Sequence, residues 1–149
     1  NMFLLVTALL CLLSFANGFP IENCSALGNL DQIRISGCDK SMNTCILRKG
    51  KNATIEIDFT TNEDTTDLMT VVHGTILILP VPFHVPHPNA CTDPDSGITC
   101  PLKKGESYHY KATLPVNQDY PSVSVEIKWE LQDQNGKDIV CIKLPAKLR

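Results

Sequence analysis

Between Ser122 and Gln132 the chain alternates. Val123, Val125, Ile127, Trp129 and Leu131 are apolar, and Ser124, Glu126, Lys128 and Glu130 between them are polar or charged. A strict period of two with one charged side describes a strand that packs on a core with one face and meets water with the other. Thr54 to Thr60 repeats it, with Ile55, Ile57 and Phe59 set against Glu56 and Asp58, and Ser107 to Leu114 repeats it through Tyr108, Tyr110, Ala112 and Leu114. Ile33 and Ile35 mark a shorter first strand, and Cys45 to Leu47 another. Asn135-Gly136 predicts a type I′ turn into a last strand at Asp138 to Leu144. No window carries the apolar spacing of an amphipathic helix. About seven short strands predict an all-β fold, an antiparallel β-sandwich of immunoglobulin-like architecture.

Val71 to Val85 breaks the pattern. Alternation is lost, so Ile76 to Leu79 is expected to be buried on both faces, or to face something apolar other than a neighbouring sheet. Pro80, Pro82, Pro86 and Pro88 then arrive at even spacing. Proline donates nothing to a ladder, so this stretch belongs at a sheet edge or outside the sheet. An edge bearing Leu79, Val81, Phe83 and Val85 needs cover. These side chains either cap the core or line a cavity, and the pattern leaves both open.

Composition narrows the functional classes. With 149 residues, 43% of them hydrophobic and 19% charged, the chain has the length of one globular domain. Thirteen basic against 16 acidic residues, a net charge of -3, excludes a general polyanion binder, so no nucleic-acid partner is expected. Phe3 to Phe15 is a nearly unbroken apolar run closed by Ala16, Asn17 and Gly18. It is too short to span a bilayer and has the form of a secretory leader. The expected organisation is a leader at 1–18 and one domain at 19–149.

Loss of the leader takes Cys11 from the seven cysteines and leaves Cys24, Cys38, Cys45, Cys91, Cys100 and Cys141. An even number in a secreted chain implies three disulfides. Cys38 and Cys45 bracket one polar loop and Cys91 and Cys100 another, which leaves Cys24 to reach Cys141. Asn52-Ala53-Thr54 is a glycosylation sequon at Asn52, whereas the formal sequon at Asn23 is spoiled by Cys24.

Catalytic chemistry leaves no trace. None of His73, His84, His87 and His109 sits near a nucleophile turn such as Gly-x-Ser-x-Gly, and no glycine-rich phosphate loop occurs. There is no Cys-x-x-Cys pair for zinc, and His84 and His87, three apart in an extended segment, point to opposite faces. The expectation is a protein that is not an enzyme and uses neither metal nor cofactor.

Several ordered motifs then carry a resemblance. Val-Val-His-Gly at 71–74, Pro-Val-Pro-Phe at 80–83, Cys91 followed by Gly-Ile-x-Cys-Pro at 97–101, Leu-Pro-Val at 114–116, Tyr-Pro-Ser at 120–122 and Trp-x-Leu-Gln-Asp at 129–133 occur in sequence. Together they closely resemble the ML (lipid-recognition) family of secreted β-sandwiches, in particular its arthropod branch of Niemann–Pick type C-like proteins. The resemblance spans essentially all of 19–149 and accounts for all six cysteines, implying the pairing that their spacing suggested. It implies an internal hydrophobic lipid pocket between splayed sheets. The family's pocket positions fall on Phe83, Val116 and Tyr120 near the mouth, with Val81 and Pro115 beside them, and deeper on Ile35, Leu47, Ile55 and Trp129. Ala53 and Ile142 stand where the sterol-binding member carries aromatic side chains, which makes the pocket more aliphatic. Asn89 and Thr92 replace an acid and a lysine of the sterol-transfer member.

The resemblance thus implies a secreted, extracellular, monomeric carrier of a small hydrophobic lipid ligand: a fatty acid, a related long-chain signal molecule or a sterol. It implies transient membrane or receptor contact at most. The alternatives are a lysosomal-lumen protein that hands sterol to a membrane partner, and an immune-recognition module for microbial lipids.

Overall fold

Among the described residues, nine strands form where the alternation and the edge signals lie. They are β1 (Glu22–Asn23), β2 (Gly28–Ile35), β3 (Cys45–Leu47), β4 (Asn52–Thr61), β5 (Met69–Ile76), β6 (Leu79–Pro82), β7 (Ser107–Pro115), β8 (Ser124–Gln132) and β9 (Asp138–Leu148). The structure, a computed structural model, describes residues 20–38 and 43–149; the expected leader at 1–18 lies outside the described residues. Among these residues no helix occurs.

One sheet runs β1-β9-β8-β5-β6, with β3 joining β9 in parallel, and the other runs β2-β4-β7. The two face each other as an antiparallel sandwich, the expected class with two more strands than predicted. The extra pieces are short: β1 has two residues and β6 four. Inward positions of β4, β7, β8 and β9 interlock as the core, with Ile57, Phe59, Tyr110, Leu131 and Ile142 at most 1% exposed. Full burial of such a side chain contributes roughly 1.5–3 kcal/mol.

Disulfides join Cys24 to Cys141, Cys38 to Cys45, and Cys91 to Cys100. The first closes 117 residues between β1 and β9. In the chain-entropy model a loop of that length contributes about 5 kcal/mol, against about 2.5–3 for each short one.

Two local expectations are corrected. The β8–β9 connection is not a type I′ turn, because only Gly136 has positive φ (74°) and Asn135 does not. The Asp133 carboxylate Oδ1 accepts the N–H groups of Asn135 and Lys137 at 2.8 and 2.9 Å. Gly136 N–H reaches the Asp133 carbonyl, and Asp133 N–H donates to the Lys137 carbonyl. An aspartate at the first position thereby fixes a type I turn, with glycine taking the bulge that follows. The strand it opens runs to Leu148, past the predicted end at Leu144.

The second correction concerns Ile76 to Leu79. Leu77 and Ile78 are the two-residue turn between β5 and β6, each 94% exposed, and Leu79 is 65% exposed. Pairing of β5 with β8 ends at Thr75↔Glu126, so the hairpin tip overhangs the sheet. Leu77 holds φ at 58°, a left-handed conformation that disfavours a bulky side chain.

Candidate ligand cavity between the sheets

The sandwich is filled at one end and hollow at the other. Near the start of β4 and the end of β7, the inward side chains stop short of those opposite and leave a cavity of about 40 Å³. Ile35, Ala53, Thr54 and Ile55 form one wall with Leu114 and Val116; Leu47, Ile127, Trp129 and Leu144 form the other, and Phe83 closes the side. A second void of about 60 Å³ lies beyond Phe83, lined by Gly74, Ile76, Val81, Pro82, Tyr120, Pro121, Val125 and Leu148. Phe83 is the shared wall.

Three contacts hold that ring. The Phe83 N–H donates to the Val72 carbonyl at 3.0 Å, which pins the backbone just past β6. Its ring meets Tyr120 edge-on, with centroids 5.2 Å apart and planes at 88°. It also lies against Gly74, in the space that a β-carbon would need. The backbone is fixed and the ring divides the two spaces.

The register shows how deep the cavity runs. Ile127 faces Leu144 across the β8–β9 ladder, and Trp129 faces Ile142. The lining follows β8 through Ile127 to Trp129 and stops before Leu131, and follows β4 through Ile55 and stops before Ile57. Trp129 is the floor. Below it the Thr70 and Tyr110 hydroxyls share a buried 2.7 Å hydrogen bond between β5 and β7. Burial pushes the Tyr110 phenol up to about 12, with the Thr70 hydroxyl and the Trp129 indole pulling the other way. No Asp, Glu, Lys, Arg or His lines either void.

Of the residues singled out in the sequence, Ile35, Leu47, Ile55, Phe83, Val116 and Trp129 meet in the first void, and Val81, Phe83 and Tyr120 in the second. Pro115 and Ile142 line neither. Leu114 points inward, so the pleat turns the next residue, Pro115, to solvent. Ile142 is fully buried, directly across the β8–β9 ladder from Trp129 and away from the lining. Leu114, Ile127 and Leu144 were overlooked, although each continues an alternating series that already contained an inward neighbour. Gly74 had no signal at all, since its part is to be absent. Asn52 is exposed at the first position of β4, opposite Pro115.

The outer face of β2-β4-β7 carries a charged ladder. Arg34 Nε lies 3.2 Å from Glu56, whose carboxyl the Arg34 hydrogen bond holds below the usual range. His109 pairs through Nδ1 with Asp58 and sits with Nε2 3.6 Å from Glu56. Both ring nitrogens therefore face carboxylates and neither faces a nucleophile. Among the described residues, no group of three His, Cys, Asp or Glu side chains is placed to hold a metal ion.

Known proteins share this plan. The ML domain profile matches residues 18–148. The chain is 46% identical over 145 residues to NPC intracellular cholesterol transporter 2 homolog a of Drosophila melanogaster, covering 97% of each. It is 41% identical over 143 residues to the ecdysteroid-regulated 16 kDa protein of Manduca sexta, covering 96% of this chain and 97% of that one. Among solved structures, a Niemann-Pick type C2 protein from Japanese carpenter ant superimposes with a TM-score of 0.83 at 37% identity, covering 88% of this chain and 100% of that chain. With the match running nearly end to end in sequence and fold, the chain belongs to the ML-domain family.

Proposed function

We propose that this protein is a non-enzymatic lipid carrier that holds a small, mostly hydrocarbon ligand between its two sheets. The observation that carries the reading is an apolar space walled by both sheets, with no charged side chain and one aromatic partition, Phe83. Membership of a family whose relatives include a protein named as a cholesterol transporter supports it. Binding follows from burial of ligand surface, at roughly 25 cal/mol per Å², without a covalent step.

Ligand pockets commonly reach about 300–1,000 Å³. The voids here are far smaller, so uptake requires the sheets to part and the Phe83 ring to turn aside, joining the two spaces. The sheets are separate ladders, so parting them breaks side-chain contacts and no strand pairing.

Chain-type lipids fit the lining better than flat rings. Ala53, an aliphatic substitution that reaches the cavity, leaves room for a bending chain, whereas Ile142 lies outside the lining, buried beside Trp129. A sterol is the second reading, favoured by the name of the Drosophila relative.

The hairpin tip gives the carrier a means of contact. Leu77 and Ile78 are exposed at its end, and the strand leaving it leads through Val81 to Phe83. We take this tip to touch a bilayer transiently while the ligand is exchanged. Three disulfides suit an oxidising compartment, and we place the carrier outside the cell, acting as a monomer.

Native mass spectrometry of the purified protein, followed by displacement of a fluorescent fatty acid, tests the reading. A co-purified lipid and one saturable site per chain are expected. An empty protein that takes up neither fatty acid nor sterol would overturn it.

A further inference from the structure

The turn between β3 and β4 carries three cations in four residues, Arg48, Lys49 and Lys51. It crosses from one sheet to the other at the hollow end of the sandwich, since β3 pairs with β9 and β4 lies between β2 and β7. The backbone holds it in place. Lys51 N–H donates to the Arg48 carbonyl at 3.2 Å, Gly50 N–H to the Val116 carbonyl at 2.6 Å, and Val116 N–H to the Lys51 carbonyl at 2.9 Å. The Lys49 ammonium donates to the Ser122 hydroxyl at 2.7 Å. Arg48 and Lys51 are exposed, and among the described residues neither lies within salt-bridge distance of a carboxylate.

Both line a recess of about 210 Å³, and no Asp or Glu among the described residues lines it with them. Leu47, Ala53 and Val116 line this recess and also the first void of the cavity. The two spaces therefore stand back to back across three apolar side chains, the smallest of them the methyl group of Ala53. We propose that the recess seats the head group of the ligand, where Arg48 and Lys51 receive a carboxylate while its chain passes Leu47, Ala53 and Val116 into the apolar void. The inference rests on the lipid-carrier reading and narrows its ligand to long-chain acids. The void itself holds no charged side chain, and an ionised group buried there without a partner would be strongly disfavoured. At the recess the charge stays in reach of water beside two cations, and the Arg48 guanidinium has the planar fork that matches a carboxylate. An alcohol or a sterol hydroxyl would leave both charges unused.

The experiment displaces phenylnaphthylamine, an uncharged fluorescent probe, with palmitic acid, hexadecanol and hexadecylamine at mildly alkaline pH. The three chains have the same length, and their heads are negative, neutral and positive. The acid should bind tightest and the amine weakest, and the advantage of the acid should shrink as salt is added. Arg48→Gln combined with Lys51→Gln should weaken the acid about three- to tenfold, the scale of two exposed ion pairs, and leave the alcohol unchanged. Arg48→Glu combined with Lys51→Glu should place the amine ahead of the acid. Lys103→Gln combined with Lys104→Gln removes the same charge from exposed positions near the far end of β4 and should alter neither. An acid no tighter than the alcohol, or an advantage that survives in the Arg48→Gln, Lys51→Gln protein, would overturn the head-group seat and leave the carrier reading intact. A double variant that loses only its binding to phosphatidylserine vesicles would overturn it too, because the turn would then meet a bilayer and not the ligand. Failure of the probe and of all three lipids to bind would instead overturn the carrier reading itself.

Discussion

Gly74 lies flat against the ring of Phe83, and a methyl group there would overlap the ring carbons. The residue that divides the cavity is therefore seated on the absence of a side chain in β5. Gly74→Ala should destabilise the fold by about 1–3 kcal/mol through overpacking. Most of that loss should disappear when Phe83→Ala is added, giving a coupling energy in a double-mutant cycle by urea denaturation. Additive effects would show that the ring does not rest on Gly74.

Phe83→Ala alone should weaken lipid binding by about 1–3 kcal/mol, the loss of an aromatic contact, in a protein that still folds. Association should also quicken, because the partition is gone. Stopped-flow uptake of a fluorescent fatty acid reads both, and unchanged affinity would assign Phe83 to the core alone.

Affinity among linear lipids should climb with length. Each buried methylene contributes roughly 0.8 kcal/mol until the joined cavity is full, after which binding levels off or falls. A competition series of acids and alcohols against cholesterol measures it. Exclusive sterol binding with no chain-length dependence would favour the second reading of the ligand.

Asp138, at the start of β9, should make the protein firmer in acid. Burial and the Glu130 carboxyl push its pKa from 3.8 up to about 6, with the Gln132 amide and Lys128 opposing. Between those values the folded state holds a proton that the unfolded chain has released, so this group's contribution to stability rises as pH falls from about 6 to about 4. Asp138→Asn mimics the protonated form. The variant should melt higher than wild type at neutral pH and match it near pH 4, in thermal scans across that range. An equal gap at all pH values would detach the effect from Asp138.

Leu77 sets exposure against strain. With φ at 58°, Leu77→Gly should relieve the turn and raise stability by up to about 1 kcal/mol. It also removes half of the apolar tip, so lipid transfer to vesicles should slow while equilibrium binding of a soluble fatty acid stays the same. Unaltered transfer would remove the tip from the exchange step.

The alternation in β4, β7 and β8 determined by itself which side chains point inward, because a pleat sends successive residues to opposite faces. Tyr110 and Leu131 were readable as interior for that reason. So were Ile55 and Ile127, and here the reading stopped, since the first pair fills the core and the second lines a cavity. A pleat sets direction and says nothing of the distance to the opposite sheet. That distance depends on side chains brought from elsewhere in the chain: Phe83 from beyond β6, Tyr120 from the loop before β8, and Trp129 across from both. The hairpin tip was misread for a related reason. Hydropathy at Ile76 to Leu79 argued for burial, but the β5–β6 hairpin turns at Leu77 and Ile78, beyond the last β5–β8 pair at Thr75↔Glu126, and only that placement decides that an apolar turn stands in solvent.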